Sequence, residues 1–295
     1  MYPSVLHAPP DDTAAAPEPI PVVEQGPMPY TVAVVSDGSA LTHRGLAGGG
    51  GSVEAVLRHW AALIHQCTGL AARPVYLAAG NAADLSIGLR RLPADIGAVL
   101  LIHTDPAHYS AATGSKQAGG SQRRVVTDRA MTATAATAAL LTTLRRRGLS
   151  PGRSRVVIAG AAIMPMLRAL LLAAGFGCVT SWDRRDAPTF PLRWITRNAD
   201  AVVDLLGCTR ELAEAASDHP ELIVITPDQT SWSLLALPGL LRAAATAQDP
   251  KFDIASYHAC ALALVAATPP GRLLPDPRDP ALISTVEQAA TGAIS

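Results

Sequence analysis

The sequence predicts an α/β protein: a Rossmann-like, doubly wound, mainly parallel sheet domain preceded by a smaller α/β domain. Three observations lead there. Short β-branched apolar runs alternate with helix-length segments along most of the 295 residues, the pattern of parallel strands joined by crossover helices. Residues 155–183 read as a complete β-α-β unit. Apolar residues make up 49% of the chain but aromatics only 4%, so helices packed closely through small side chains are expected.

The β-α-β unit is the centre of the chain. Val156, Val157 and Ile158 follow Pro151 and Gly152 and form a buried strand. A turn at Gly160 leads into a helix over 164–174, which Gly175 and Gly177 stop. Residues 178–182 form the second strand, and Asp183 stands at its C-terminal end. That is about 20 residues past the turn, where a dinucleotide fold holds the ribose hydroxyls. The turn itself reads Ala159-Gly160-Ala161-Ala162-Ile163-Met164-Pro165, which is not the G-x-G-x-x-G that lets a backbone approach pyrophosphate. Bulky residues and a proline stand where phosphate-facing N–H groups are needed. The expectation is a Rossmann-like unit in which Gly160, Ala161 and Asp183 contact NAD or NADP weakly, with no tightly bound cofactor.

In chain order, residues 1–29 are rich in Pro and Ala without periodicity and predict a disordered arm, with a possible local anchor at 20–23. Residues 31–35 form a strand that ends in Ser36-Asp37-Gly38-Ser39. A glycine-rich connector, 45–51, lacks the Lys-Ser/Thr pair of a P-loop. A helix over 52–67, with Ser52 as N-cap, carries Val53, Val56, Leu57, Trp60, Leu63 and Ile64 on its apolar face. Strands at 74–77 and 98–103 flank a short helix at 84–92. Residues 111–122 are Gly/Ser-rich and expected to be mobile. A strand at 124–126 runs into a long Ala/Thr helix over 128–147, whose last-turn arginines, Arg145, Arg146 and Arg147, complement its C-terminus. Strands at 201–206 and 222–225, a helix at 231–245 broken by Pro238, and helices at 254–267 and 280–290 complete the chain.

The net charge is zero, so no global field draws nucleic acid or an acidic membrane. No apolar stretch reaches the roughly 20 residues that span a bilayer. Cys67, Cys178, Cys208 and Cys260 are widely spaced in apolar segments and predict buried thiols rather than disulfides. A cytoplasmic location follows. Lysine is confined to Lys116 and Lys251, against 22 arginines. His103, Asp105 and His108 bring metal-capable groups to one strand end, in a spacing that matches no known metal pattern. His65/Cys67 and His258/Cys260 are i, i+2 pairs that do not share a helical face.

Four segments, in order, resemble malic enzymes. Residues 32–40, Val-Ala-Val-Val-Ser-Asp-Gly-Ser-Ala, are similar to that family's opening strand and turn. Arg124-Val125-Val126-Thr127-Asp128 and the Thr/Ala-rich helix after it resemble its acidic metal-binding strand and long helix. Residues 156–183 fall where its NAD(P) fingerprint lies, and Val224-Ile225-Thr226-Pro227-Asp228 resembles its Asn-Pro turn near the substrate. The resemblance implies a divalent metal, NAD(P) and oxidative decarboxylation of malate, with a Lys as base and a Tyr as acid. This chain departs from it at each role. Val56 falls near the lysine's place, Tyr2 and Tyr30 lack the tyrosine's context, and the family's consecutive aspartates become Asp128-Arg129.

The expected organisation is therefore an arm over 1–29, a malic-enzyme-like α/β domain over 30–129 and a Rossmann-like domain with C-terminal helices over 130–295. The function expected is that of a malic-enzyme-like protein that has lost catalysis and senses a ligand or binds a partner, as a homodimer. An active NAD(P)-dependent oxidoreductase with altered residues is the alternative, and a structural or assembly protein using the N-terminal arm a further one. No catalytic or metal-ligating residue is assigned. Asp37, Asp105, Asp128, Arg129 and Thr226 are the candidates for lining the cleft, where Arg129 either pairs internally with a carboxylate or holds a small anionic ligand.

Overall fold

A computed structural model of the chain describes residues 31–42, 53–109, 124–247 and 252–294. The expected arm over 1–29, the Ser52 cap, the glycine-rich connector, the segment 111–122 and both lysines lie outside the described residues. The described strands form two four-stranded sheets. The first contains β1 (Thr31–Ser36), β2 (Ala72–Tyr76), β3 (Ile96–Leu101) and β4 (Arg124–Thr127), ordered β2-β1-β3-β4. The second contains β5 (Arg155–Ala159), β6 (Cys178–Trp182), β7 (Ala201–Asp204) and β8 (Ile223–Ile225), ordered β6-β5-β7-β8. Every pairing is parallel. The same order occurs twice, and each sheet reverses its path beside its first strand, where α/β folds open a crevice.

Alternation along the strands explains the layers. Val32 and Val34 of β1 pack with Leu57, Trp60 and Ile64 of helix α1 (Val53–Thr68). Ala33 and Val35 face the other way, onto Leu85 and Leu89 of α2 (Ala82–Arg90). Helix α2 starts earlier than its apolar pattern suggests, because the Asn81 side chain accepts the N–H groups of Ala83 and Asp84 at 2.9 and 3.0 Å. In the second sheet Val156 and Ile158 share a core with Leu167, Leu170 and Leu171 of α4 (Met166–Ala173). Val157 and Ala159 pack instead with Trp182, Leu192 and Leu212. Strand β5 is central, as its unbroken apolar run predicts.

Helix α3 (Asp128–Arg146) joins the two halves, and residues 130–140 are all buried. It packs against α4, α6 (Gln229–Thr246) and α7 (Ile254–Ala267), while α8 (Pro280–Ile294) packs on α6 and α7.

Three expectations are corrected. Helix α5 (Thr209–Asp218) is absent from the sequence reading, because its buried stripe is thin, Leu212 and Ala215 in an otherwise polar run. Helix α6 runs unbroken through Pro238. A proline in a helix interior costs about 3 kcal/mol, here offset by complete burial of Leu237, Leu240 and Leu241. The cysteines are free but not all buried: Cys178 is exposed and Cys67 intermediate, because both occupy the outer faces of their elements. Cys260 is buried, and burial pushes its thiol up to about 12.

Helices α6 and α8 approach closely at Gly239. A Cβ added there would stand 2.6 Å from Val286 Cβ and 2.8 Å from the Ile283 carbonyl oxygen. Overpacking of this kind costs about 1–3 kcal/mol, more than the roughly 1 kcal/mol that alanine gains over glycine in a helix. Gly239→Ala is expected to lower the urea midpoint, and an unchanged or raised midpoint would show that the two helices separate freely.

Candidate functional site

The C-terminal ends of β1, β3 and β4 bring four of the five sequence-predicted cleft residues, Asp37, Asp105, Asp128 and Arg129, into one network. Asp37 follows β1 directly and is buried. Its carboxylate accepts from Ser39 Oγ at 2.6 Å and from the Ser39 N–H at 3.0 Å, and His108 Nδ1 lies 2.8 Å from its second oxygen. The Asp105 N–H donates to Ser39 Oγ at 2.8 Å, and the Asp105 carboxylate accepts from the Ala107 N–H. The β1 turn and the β3 exit are thereby fastened to each other.

His103 supplies the strained point of this exit. Its φ of 49° is the one positive value at a non-glycine position among the described residues, a conformation that costs about 1–3 kcal/mol and concentrates at functional sites. Its N–H donates to Asp128 Oδ2 at 3.3 Å, and its carbonyl accepts from the Ala40 N–H. Sequence periodicity carries no signal for this backbone geometry.

Asp128 and Arg129 open helix α3. Thr127 is the N-cap, accepting from the Ala130 N–H at 3.0 Å. Asp128 is 2% exposed, and its Oδ1 accepts from the Arg129 N–H at 2.8 Å. Burial raises the Asp128 carboxyl pKa above its usual range, against the lowering influence of His103 and Arg129. The Arg129 side chain reaches across to the second half, where Nη1 donates to the Ile163 carbonyl at 2.9 Å.

A pocket of about 290 Å³ lies over these groups. Leu101, Thr104, Pro106 and Tyr109 line it from the β3 exit, and Thr127, Asp128 and Arg129 from the start of α3. Pro165 and Met166 from the start of α4, and Ile254 from the start of α7, close the other side. The last three escape sequence reading because tertiary packing alone brings two later helix starts to the end of the first sheet. Asp37 and Asp105 stand behind the lining, and Thr226 is exposed at the end of β8 and does not line the pocket.

The nucleotide-type turn lies next to this pocket. Gly160 has φ 88°, and a Cβ there would meet Leu206 Cγ at 2.7 Å. The glycine therefore admits the Leu206 side chain, where a fingerprint glycine would admit a pyrophosphate. The Ile163 N–H donates to the Gly160 carbonyl, the Met164 N–H to Ala161 and the Leu167 N–H to Met164. Donors that a phosphate would need are already used inside the turn, so these residues fit a dinucleotide poorly. Asp183 stands at the end of β6, where Asp186 accepts its N–H and Arg185 lies 3.8 Å from its carboxylate. No three His, Cys, Asp or Glu side chains among the described residues gather to hold an ion.

Two parallel sheets of the same strand order, joined by a buried helix with a pocket at its start, define a two-part α/β protein. No family model matches the sequence, and no curated protein matches it. The fold is malic-enzyme-like. It is similar to the NAD-dependent malic enzyme of Thermotoga maritima, with a TM-score of 0.73 and 21% identity over 90% of this chain and 85% of that one. Malic enzymes of Pyrococcus horikoshii (TM-score 0.71, 17% identity, 90% and 76% covered) and Entamoeba histolytica (0.70, 16%, 90% and 69%) are similar too. At these identities the likeness establishes architecture. No described helix is long and apolar enough to cross a membrane.

The raised Asp128 pKa has a signed consequence. Below about pH 4, the ordinary aspartate range, folded and unfolded chains both hold the proton. As pH rises, the unfolded chain ionises first, so the contribution of Asp128 to stability declines until its folded pKa is passed. Asp128→Asn removes that decline. Denaturant melts between pH 4 and 7 are expected to shift in favour of the variant, relative to wild type, as pH rises. A difference that does not change with pH would place Asp128 in the ordinary range.

Proposed function

We propose that this malic-enzyme-like protein binds a small organic acid without oxidising it, and so serves as a ligand-sensing protein rather than a dehydrogenase. The observation that carries this reading is Arg129. A guanidinium lines the pocket beside Asp128 and is held in place by the Ile163 carbonyl. By the resemblance, that position belongs to a metal-ligating carboxylate, and a guanidinium repels a divalent cation instead of binding it. Val56, at the lysine's place, is partly buried and packs into the core, where it can accept no proton. The use of Gly160 to seat Leu206 supports weak nucleotide affinity.

A second reading, an NAD(P)-dependent oxidoreductase with altered residues, draws on the strained His103 beside the buried Asp128, since perturbed groups gather at catalytic sites. The two separate in one assay. Purified protein given malate, Mn²⁺ and NAD⁺ or NADP⁺ is expected to form no reduced cofactor above blank, and metal-dependent turnover would establish the second reading. Calorimetry with NAD⁺ and NADP⁺ is expected to give no dissociation constant in the low micromolar range. A cytoplasmic homodimer is part of the proposal, and sedimentation at two concentrations tests the dimer.

A further inference from the structure

We propose that the outer face of the segment after β6 is a docking site for the chain's own N-terminal arm. The acidic, proline-rich part of the arm would lie across Phe190 and Trp194, with its carboxylates against Arg193 and Arg197.

The segment holds these side chains outward. Phe190 and Trp194 are 54% and 55% exposed, the two most exposed large apolar side chains among the described residues. A single exposed apolar residue is ordinary, but two aromatics this close in the chain mark a contact surface. The backbone beneath them is fixed. The Trp182 indole N–H donates to the Phe190 carbonyl at 2.8 Å, the Phe190 N–H to the Asp186 carbonyl at 2.7 Å and the Trp194 N–H to the Pro191 carbonyl at 2.8 Å. The helical turns Leu192–Ile195 and Thr196–Asn198 bury Leu192, Thr196 and Ala199. Helical spacing then puts Arg193, Trp194 and Arg197 on the opposite side, where all three are exposed.

The charge of this face is one-sided. Neither Arg193 nor Arg197 forms an ion pair with another described residue. Carboxylates nearby in the chain are engaged elsewhere: Asp183 and Asp186 cap each other's backbone N–H groups, and Asp200 accepts the Arg155 N–H at 2.7 Å.

The arm, which lies outside the described residues, has the complementary chemistry. Residues 1–29 contain Asp11, Asp12, Glu18 and Glu24 and no Lys or Arg, and Pro17-Glu18-Pro19-Ile20-Pro21 alternates proline with an acid and an apolar residue. Proline-rich segments dock on aromatic surfaces because their extended form costs little entropy to fix, and guanidinium groups receive the flanking carboxylates. Reach is sufficient. At ~3.1 Å per residue, the chain from Glu18 to Thr31 spans about 40 Å and that from Asp11 about 60 Å, against a diameter of about 50 Å for a folded chain of this length. Tethering gives the arm an effective concentration of roughly millimolar, so weak contacts hold it.

Cleavage of the full-length protein by a Glu-specific protease at the Glu24–Gln25 bond, followed by mass spectrometry, tests the docking. Cleavage tracks the undocked fraction when docking is fast. The pair Phe190→Ala with Trp194→Ala, and the pair Arg193→Gln with Arg197→Gln, are each expected to cut about fivefold faster than wild type. Circular dichroism confirms that these surface variants fold. Leu172→Ala, at another exposed apolar position, is expected to match wild type. Rates that are equal in wild type and both double variants, or raised as much by Leu172→Ala, would overturn the proposal. Protection that appears only as protein concentration rises would overturn docking within one chain.

Discussion

The whole arrangement depends on burying one helix on every side. Residues 130–140 of α3 are shielded by α4, α6 and α7, and that is possible because the segment is almost entirely alanine and threonine. Small side chains let neighbouring helices approach closely, which supplies the dispersion contacts that a larger aromatic core would otherwise provide. The threonines would be costly in such a place if their hydroxyls were unpaired. Instead Thr132, Thr134 and Thr137 each donate to the carbonyl four residues back, at 2.9 Å. The helix thereby carries its polar groups inward without needing partners from its neighbours.

The pocket follows from that burial. Because α3 is locked along its length, its first residues are fixed relative to both sheets, and Asp128 and Arg129 are presented where the ends of β3 and β4 meet the starts of α4 and α7. The polar groups around them are already engaged. Asp37 is held by Ser39 and His108, Asp105 by its own turn, and Asp128 by two backbone N–H groups. These carboxylates close the strand ends, and the charge presented to the pocket next to Asp128 is the Arg129 guanidinium.

Fold was legible where burial imposes a period. The two-sided cores of β1 and β5, the stripe on α1 and the length of α3 all leave marks in the sequence, so a mainly parallel, doubly wound sheet could be anticipated, though not its strand order. Helix α5 was not legible, since two buried residues make too thin a stripe, and Pro238 misled because tertiary packing overrides a local penalty. The site was legible in part. Asp128 and Arg129 stand out as a departure from a pattern, whereas Met166 and Ile254 reach the pocket through packing that no local signal encodes. Leu206 above Gly160 shows the same limit, for a glycine in a turn looks alike whether it admits a phosphate or a side chain.

We propose that the pocket of this malic-enzyme-like fold holds an arginine, Arg129, where the resemblance places a metal ligand. Electron paramagnetic resonance of Mn²⁺ addresses it without any assay of turnover. Titrating wild-type protein into Mn²⁺, with malate present, should leave the signal of the free aqua ion undiminished. Loss of that signal at stoichiometric protein, restored by excess Mg²⁺, would show a metal bound to the protein and overturn this proposal.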